Sequence, residues 1–455
     1  MVSGTSSKLP MVGYERVSSG PRATISPGRR FAWLAIKLVA LGALLAIAIG
    51  AVISMRPPVE RVFGLMIDAG STGSRMHTFS FTRDPSNNLK LITEDFLPVK
   101  PGLSAFKDSP EKASESLQPL LERARLIVPK AKRSRTPVFL RATAGLRLTG
   151  EEKASAILAN VRKGLRKSGF RFDDDHWASI LGGSDEGIYS WITVNYLMDR
   201  VPTDTVGTLE MGGGSAQVAF VPLDKSNIGA GNCSIPTETI EFKGIKIPLY
   251  TYSHLKFGLK KARAIALTGF RAGGMLKDNP CVNHGPSVTY PIPFDTSDAA
   301  VRIRGSGNFE SCRRALDSLL FDPVKGHCTC TACTYNAVSA PKPSPEYVAF
   351  AFYLERTVAI GMSSPLTVED IYAKGKEICS LTVDEVLKAY PNVPNGIATD
   401  LCLDLAFIAG HLEHGLGIND GQSVKLNIVD KIKGVELGWS LGAMFAEMGR
   451  LGIGQ

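Results

Sequence analysis

One short pattern occurs twice in this chain and restricts what it can fold into more than any other feature. An apolar run ends in a carboxylate and passes into a Gly/Ser turn at LMIDAGSTGS (65–74), and the same form returns at GTLEMGGGSAQ (207–217). A strand ending this way puts backbone N–H groups and hydroxyls where they hold phosphate oxygens, with the carboxylate beside them for a cation. One such loop is an ordinary turn. Two at matching positions imply two related lobes facing a cleft. No GxxxxGK[ST] occurs anywhere, which excludes a P-loop.

The surrounding pattern supports layered lobes. RVFGLMID (61–68), TPVFLRAT (136–143) and VGTLEM (206–211) read as buried strands, while 111–129, 151–167 and 185–199 show helical spacing. Strands alternating with helices imply an α/β fold. Pro/Gly-rich loops and cysteines fill residues 222 to 345, and apolar helices are expected near 346–361, 401–415 and 434–449. In LGGSDEGIYSWITVNYL (181–197), Gly182 and Gly183 relax the backbone and Ser184 is expected to cap a helix. Asp185 and Glu186 fall in its first turn, where the bland role is to complement the helix dipole.

The chain has 455 residues, 44% of them hydrophobic and 21% charged, which excludes a mainly disordered or fibrous protein. Its 52 Lys and Arg exceed 43 Asp and Glu, a formal charge of +9. Much of that excess is N-terminal: Lys8, Arg16, Arg22, Arg29 and Arg30 face only Glu15, and Lys37 follows. No basic stripe appears, so no nucleic-acid partner is expected. From Phe31 to Met55 the chain is apolar, with no charge in the 18 residues from Leu38 onward. At roughly 1.5 Å per residue these span about 27 Å, enough for a transmembrane helix. Arg22, Arg29 and Arg30 precede it, so the positive-inside rule keeps the N-terminus cytosolic and sends the rest to the lumen or exterior. The expectation is a type II signal anchor over 31–55, after a disordered cytosolic tail (1–30) and before a stem (56–62). The alternative, a cleavable signal peptide, has a shorter n-region and apolar core than this one. Eight cysteines, all after residue 230, fit an oxidising compartment. Cys328, Cys330 and Cys333 hold a CxxC, but no second one completes a zinc set, which favours disulfides. Asn232-Cys233-Ser234 is a glycosylation sequon.

Five segments taken together carry a resemblance. DAGSTGSR (68–75), ATAGLR (142–147), SDEGIYSWITVNYL (184–197), GGGSAQ (212–217) and GVELGWSLGA (434–443) are similar, in order, to the five apyrase regions of the nucleoside triphosphate diphosphohydrolase family. KPGLSAF (100–106), YTYSHLKFGLKKAR (250–263), GSGNFESC (305–312) and LCLDLAF (401–407) further resemble its secretory-pathway nucleoside diphosphatase branch. The resemblance implies a two-lobed actin-like (ASKHA, RNase H-like) fold with a central nucleotide cleft. Lobe I would span 63–205, with the C-terminal segment 434–455 packing back on it, and lobe II 206–433. The implied activity is Ca²⁺- or Mg²⁺-dependent hydrolysis of GDP, UDP or IDP at a Golgi or endoplasmic reticulum membrane. A broad surface or secreted apyrase that also cleaves ATP, and a non-catalytic nucleotide-binding module, are the alternatives.

The same resemblance assigns roles. Glu186 matches the general base, and Ser215 and Gln217 the groups that position the attacking water. Asp68 and Glu210 match the acids around the cation, mainly through water. Ser71, Thr72, Gly73, Gly213, Gly214 and Thr143 match the phosphate cradle, and Arg147 joins either that cradle or a structural ion pair. Phe352, Tyr353 and Phe407 match nucleobase-stacking positions, although aromatics on apolar helices are commonly core. Cys379 with Cys402 is the disulfide it implies. Glu210 departs from the family's usual Asp, lengthening the carboxylate by a methylene, and Ala216 replaces a common Thr.

Overall fold

Strand β1 (Glu60–Ala69) carries the first repeat into its loop and returns as β2 (Ser74–Arg83) in the computed structural model, which describes residues 27–54, 60–201, 204–223, 235, 237–242, 244–292, 300–324, 333–334, 338–419 and 423–454. The antiparallel register sets Asp68 opposite Arg75 and Ala69 opposite Ser74, so residues 70–73 form the loop. β3 (Leu89–Val99) pairs with β2, and β4 (Val138–Ala142) and β5 (Ala178–Ile180) add in parallel beyond β1, giving the order β3-β2-β1-β4-β5. β1 and β4 are buried because they are central, and central parallel strands are apolar at nearly every position.

The second sheet repeats the device. β6 (Gly207–Met211) returns as β7 (Ser215–Phe220), with Glu210 opposite Gln217. β8 (Thr237–Phe242) and β9 (Ile245–Leu255) extend the sheet past β7. β10 (Asn279–His284) and the hairpin of β11 (Val288–Pro291) and β12 (Ala300–Ile303) lie outside it. β13 (Glu346–Ala351) and β14 (Lys425–Ile428) then add in parallel beside β6, for the order β14-β13-β6-β7-β9-β8.

Two sequence expectations need correction. Residues 346–351 are a strand, and the helix begins only at Phe352. YVAFA is apolar at every position because it lies between two strands, and such a run has no period that separates strand from helix. His411 is 1% exposed, because the helix Leu401–Gly410 that runs into it is buried all round. Ser184 does not cap its helix, which starts at Gly183 with Gly182 as its N-cap.

Helices Glu111–Ser116, Gln118–Ile127 and Glu151–Arg166 cover the first sheet around Leu65, Ile67, Leu140, Ile157 and Leu165. The helix Gly183–Leu197 packs on β7 and β9, and the closing helix Ser440–Arg450 packs on it and on β1. Gly442 N–H donates to Thr193 Oγ1 at 2.9 Å across that contact. Disulfides join Cys281 to Cys312 and Cys379 to Cys402, and Cys333 is also disulfide-bonded. Cys328, Cys330 and the 232–234 sequon lie outside the described residues.

The chain divides after Pro58, and Val59–Gln455 is a compact unit with its own apolar cores. In the N-terminal unit, Pro27–Ser54 is helical, with side chains described for residues 31–47 only. Among the described residues no helix is long and apolar enough to cross a membrane. Tail 1–26 and stem residues 55–59 lie outside them.

Candidate active site

The two hairpin loops touch: a Cβ added at Gly213 would lie 2.5 Å from Ser71 Oγ. Between the loops is a cavity of about 300 Å³. The first loop contributes Asp68, Ser71 and Thr72 to its wall, and the second contributes Glu210, Gly213, Gly214 and Ser215. Thr143, at the end of β4, and Glu186, in the first turn of the Gly183–Leu197 helix, complete this end. Gly73 faces away, against the Val99 carbonyl. Gln217 and Arg147 stand behind the wall, each bonded to Glu186.

The hydrogen bonds converge on Glu186. Its Oε2 accepts from Arg147 Nη2 at 2.5 Å and from Gln217 Nε2 at 3.1 Å. Gln217 Nε2 also lies 2.7 Å from Ser215 Oγ and 3.0 Å from Ser253 Oγ, while Gln217 Oε1 is buried without a partner. Arg147, which the sequence left between two roles, pairs with the carboxylate and approaches Ser215 Oγ at 3.4 Å.

Burial works against the ionised form of two carboxylates at this end of the cavity. Burial first, then the charges of Glu210 and Asp68, push Glu186 well above the usual carboxyl range, against the opposing pull of Arg147. Burial also raises Glu210 to about 7, with Asp68 adding to it and the Ser190 hydroxyl and Arg75 opposing. Asp68 Oδ2 accepts from Arg75 Nη1 at 3.0 Å, whereas its Oδ1 is buried without a partner. Among the described residues no three His, Cys, Asp or Glu side chains cluster tightly enough to ligate a metal directly. Two wall carboxylates, one with an uncommitted buried oxygen, fit a hydrated cation held mainly through water.

The far end of the cavity is aromatic and strained. Phe352 lines it, with Arg356 Cζ 5.0 Å and Lys260 Nζ 6.0 Å from the ring centroid. Ala351 beside it has φ 58° and ψ −123°, a conformation that a non-glycine residue adopts only under constraint. Tyr353 and Phe407 lie elsewhere, 1% and 2% exposed in the apolar core, with Phe407 stacked on Phe321 at 6.1 Å.

Sequence reasoning passed over several residues here. Arg75 was legible, because a four-residue loop at 70–73 must set it opposite Asp68. His77 lines the cavity, its Nδ1 2.6 Å from Glu94 Oε1, and Ser190 Oγ is 2.6 Å from Glu210 Oε2. Ser253 reaches Gln217 only through the β7–β9 register, which no local signal announces.

Residues 55–452 match the model of the GDA1/CD39 (nucleoside phosphatase) family. This chain belongs to that family. Among its relatives, the human nucleoside diphosphate phosphatase ENTPD5 is 35% identical over 410 residues, covering 86% of this chain and 89% of that protein. The guanosine-diphosphatase of Schizosaccharomyces pombe is 35% identical over 424 residues, 84% of this chain and 73% of that one. The crystal structure of a nucleoside triphosphate hydrolase from Neospora caninum superposes with a TM-score of 0.62 over 92% of this chain and 99% of that one. At 15% identity this is a likeness of fold, and it agrees with the α/β architecture built on two main sheets.

Proposed function

We propose that this chain hydrolyses nucleoside diphosphates such as GDP, UDP or IDP to the monophosphate and phosphate, with Ca²⁺ or Mg²⁺ as cofactor. The observation that carries the reading is the Glu186–Gln217–Ser215 constellation, set at the wall of a cavity between two amide-lined loops. The printed names of the human and fission-yeast relatives support diphosphates as the substrate class.

Phosphoanhydride hydrolysis needs an in-line water, neutralised oxygens and a base. Glu186 takes the water's proton, which is worth roughly 10²- to 10⁴-fold in rate. Ser215 Oγ, on the wall, orients that water, and Gln217 holds Ser215 and Glu186 in place from behind. Ser71, Thr72, Gly213, Gly214 and Thr143 hold the phosphates, with amides and hydroxyls fixed before the charge develops. Asp68 and Glu210 would hold the cation, which would supply positive charge to offset the phosphate oxygens. Arg147 orients Glu186 and keeps it ionisable, and Phe352 stacks the nucleobase.

The apolar segment 31–55, flanked by Arg22, Arg29 and Arg30, supports a type II signal anchor with Val59–Gln455 in the Golgi or endoplasmic reticulum lumen. The disulfides are consistent with that compartment. The test is phosphate release from GDP, UDP, ADP, ATP and GTP by residues 59–455 in Ca²⁺, Mg²⁺ or EDTA. The expected result is cation-dependent turnover of GDP and UDP well above the triphosphates. Equal turnover of ATP would move the assignment to a broad apyrase, and nucleotide binding without turnover to a non-catalytic module.

A further inference from the structure

Glu186 and Ser190 are four residues apart on one helix, so they share a face at a separation of roughly 5 to 6 Å. Glu210 and Gln217 are directly opposite each other on β6 and β7, about 5 Å apart on one face of the sheet. The helix packs on these strands, and the two spacings match. Two parallel bonds result: Gln217 Nε2 to Glu186 Oε2 at 3.1 Å, and Ser190 Oγ to Glu210 Oε2 at 2.6 Å. Ser190 is 1% exposed, so water does not satisfy its hydroxyl in place of Glu210.

We propose that Ser190 is a positioning residue for cation binding: its hydroxyl holds the long side chain of Glu210 in one orientation at the cavity wall, as Gln217 holds Glu186. The inference rests on the reading of Asp68 and Glu210 as the cation-holding acids. Glutamate and Ser190 form a matched pair. An aspartate at 210 ends about 1.5 Å shorter, one carbon–carbon bond, and leaves the buried hydroxyl without its acceptor. Glu210→Asp alone is therefore a loss.

The experiment is Ca²⁺ binding to nucleotide-free Val59–Gln455, measured by calorimetry beside thermal melting, for wild type, Ser190→Ala, Ser190→Thr, Glu210→Asp and the Ser190→Ala/Glu210→Asp double variant. A hydrogen bond to a charged group is worth roughly ten- to hundredfold in affinity, and Ser190→Ala should lose about that. Ser190→Thr, which keeps the hydroxyl, should retain most of the affinity. The double variant should bind no more weakly than Glu210→Asp alone, because Ser190 acts through Glu210. Wild-type affinity in Ser190→Ala, even with a lower melting temperature, would overturn the inference and leave Ser190 a purely structural residue. Additive losses in the double variant would overturn it too. A wild type that binds no Ca²⁺ or Mg²⁺ and turns over GDP in EDTA would instead overturn the cation reading on which the inference stands.

Discussion

The two phosphate loops share a backbone plan and differ in how each treats its acid. Asp68 faces Arg75 on its own hairpin and is paired with it at 3.0 Å. Glu210 faces the neutral Gln217, takes its hydrogen bond from a helix serine, and rises to about 7. The first loop pairs one oxygen of its acid within its own hairpin and leaves the other uncommitted, whereas the second depends on a neighbouring element for its hydrogen bond. Both are seated in the same way. A Cβ at Gly102 would lie 2.4 Å from the Gly70 carbonyl oxygen, and one at Gly258 would lie 2.4 Å from Ser215 N. The shared device is steric, and the difference is electrostatic.

The largest expected effect is at the base that both loops surround. Glu186→Gln should lower kcat roughly 10²- to 10⁴-fold while leaving the fold intact. A steady-state assay with a melting curve checks both halves of that statement.

The two sheets also differ in the covalent bracing of the chain around them, since every cysteine follows residue 230. Removing one bridge, as in Cys379→Ser with Cys402→Ser, should cost about 2 to 5 kcal/mol. Proteolysis in a mild reductant should then cut the segment after residue 230 before the first sheet and its helices. Cleavage starting at residues 60–180 would break the contrast.

Gly102→Ala and Gly258→Ala sharpen it at the next level. Each forces a methyl against loop backbone, at about 1 to 3 kcal/mol. Gly258→Ala should weaken cation binding more than Gly102→Ala does, because the second loop has no ion pair of its own to restore it. Calcium titration of both variants measures the difference.

The smallest effect is in pH. Glu210 has a folded pKa near 7, above its ordinary value of 4.5, so its contribution favours folding while it is protonated and is lost as pH rises through 7. In EDTA, Glu210→Gln should therefore melt higher than wild type at pH 8, with a smaller gain at pH 6. The pair His254 and His411 works in the opposite direction. Burial lowers both, His411 to about 3, so the stability they give is complete above pH 6.5 and fades as pH falls toward 3. Replacing His411 by an apolar residue of similar size should flatten the acid limb by about 1.4 kcal/mol between pH 7.5 and 5.5.

The parts of this architecture readable from sequence were those whose period or punctuation is local. β1, β4 and β6 are apolar runs closed by Gly, Ser or Thr, and the Asp68 and Glu210 loops announce themselves by residue type. β13 did not, because a strand buried on both faces has the composition of a buried helix. Arg147 was left open because a guanidinium suits phosphate and carboxylate equally, and only the fold put Glu186 within reach. Ser190 and Ser253 have meaning only through the register of sheet on helix and strand on strand, which no single segment encodes.

The central claim is that the two loops form one nucleotide site on which Glu186 acts as a base. Its most direct test is equilibrium binding of GDP to the Glu186→Gln variant with and without Ca²⁺, beside single-turnover hydrolysis. The account predicts cation-dependent binding within about threefold of wild type, a difference of roughly 0.65 kcal/mol, and no burst of phosphate. A variant that still hydrolyses GDP at a wild-type rate, or that loses GDP binding altogether, would contradict it.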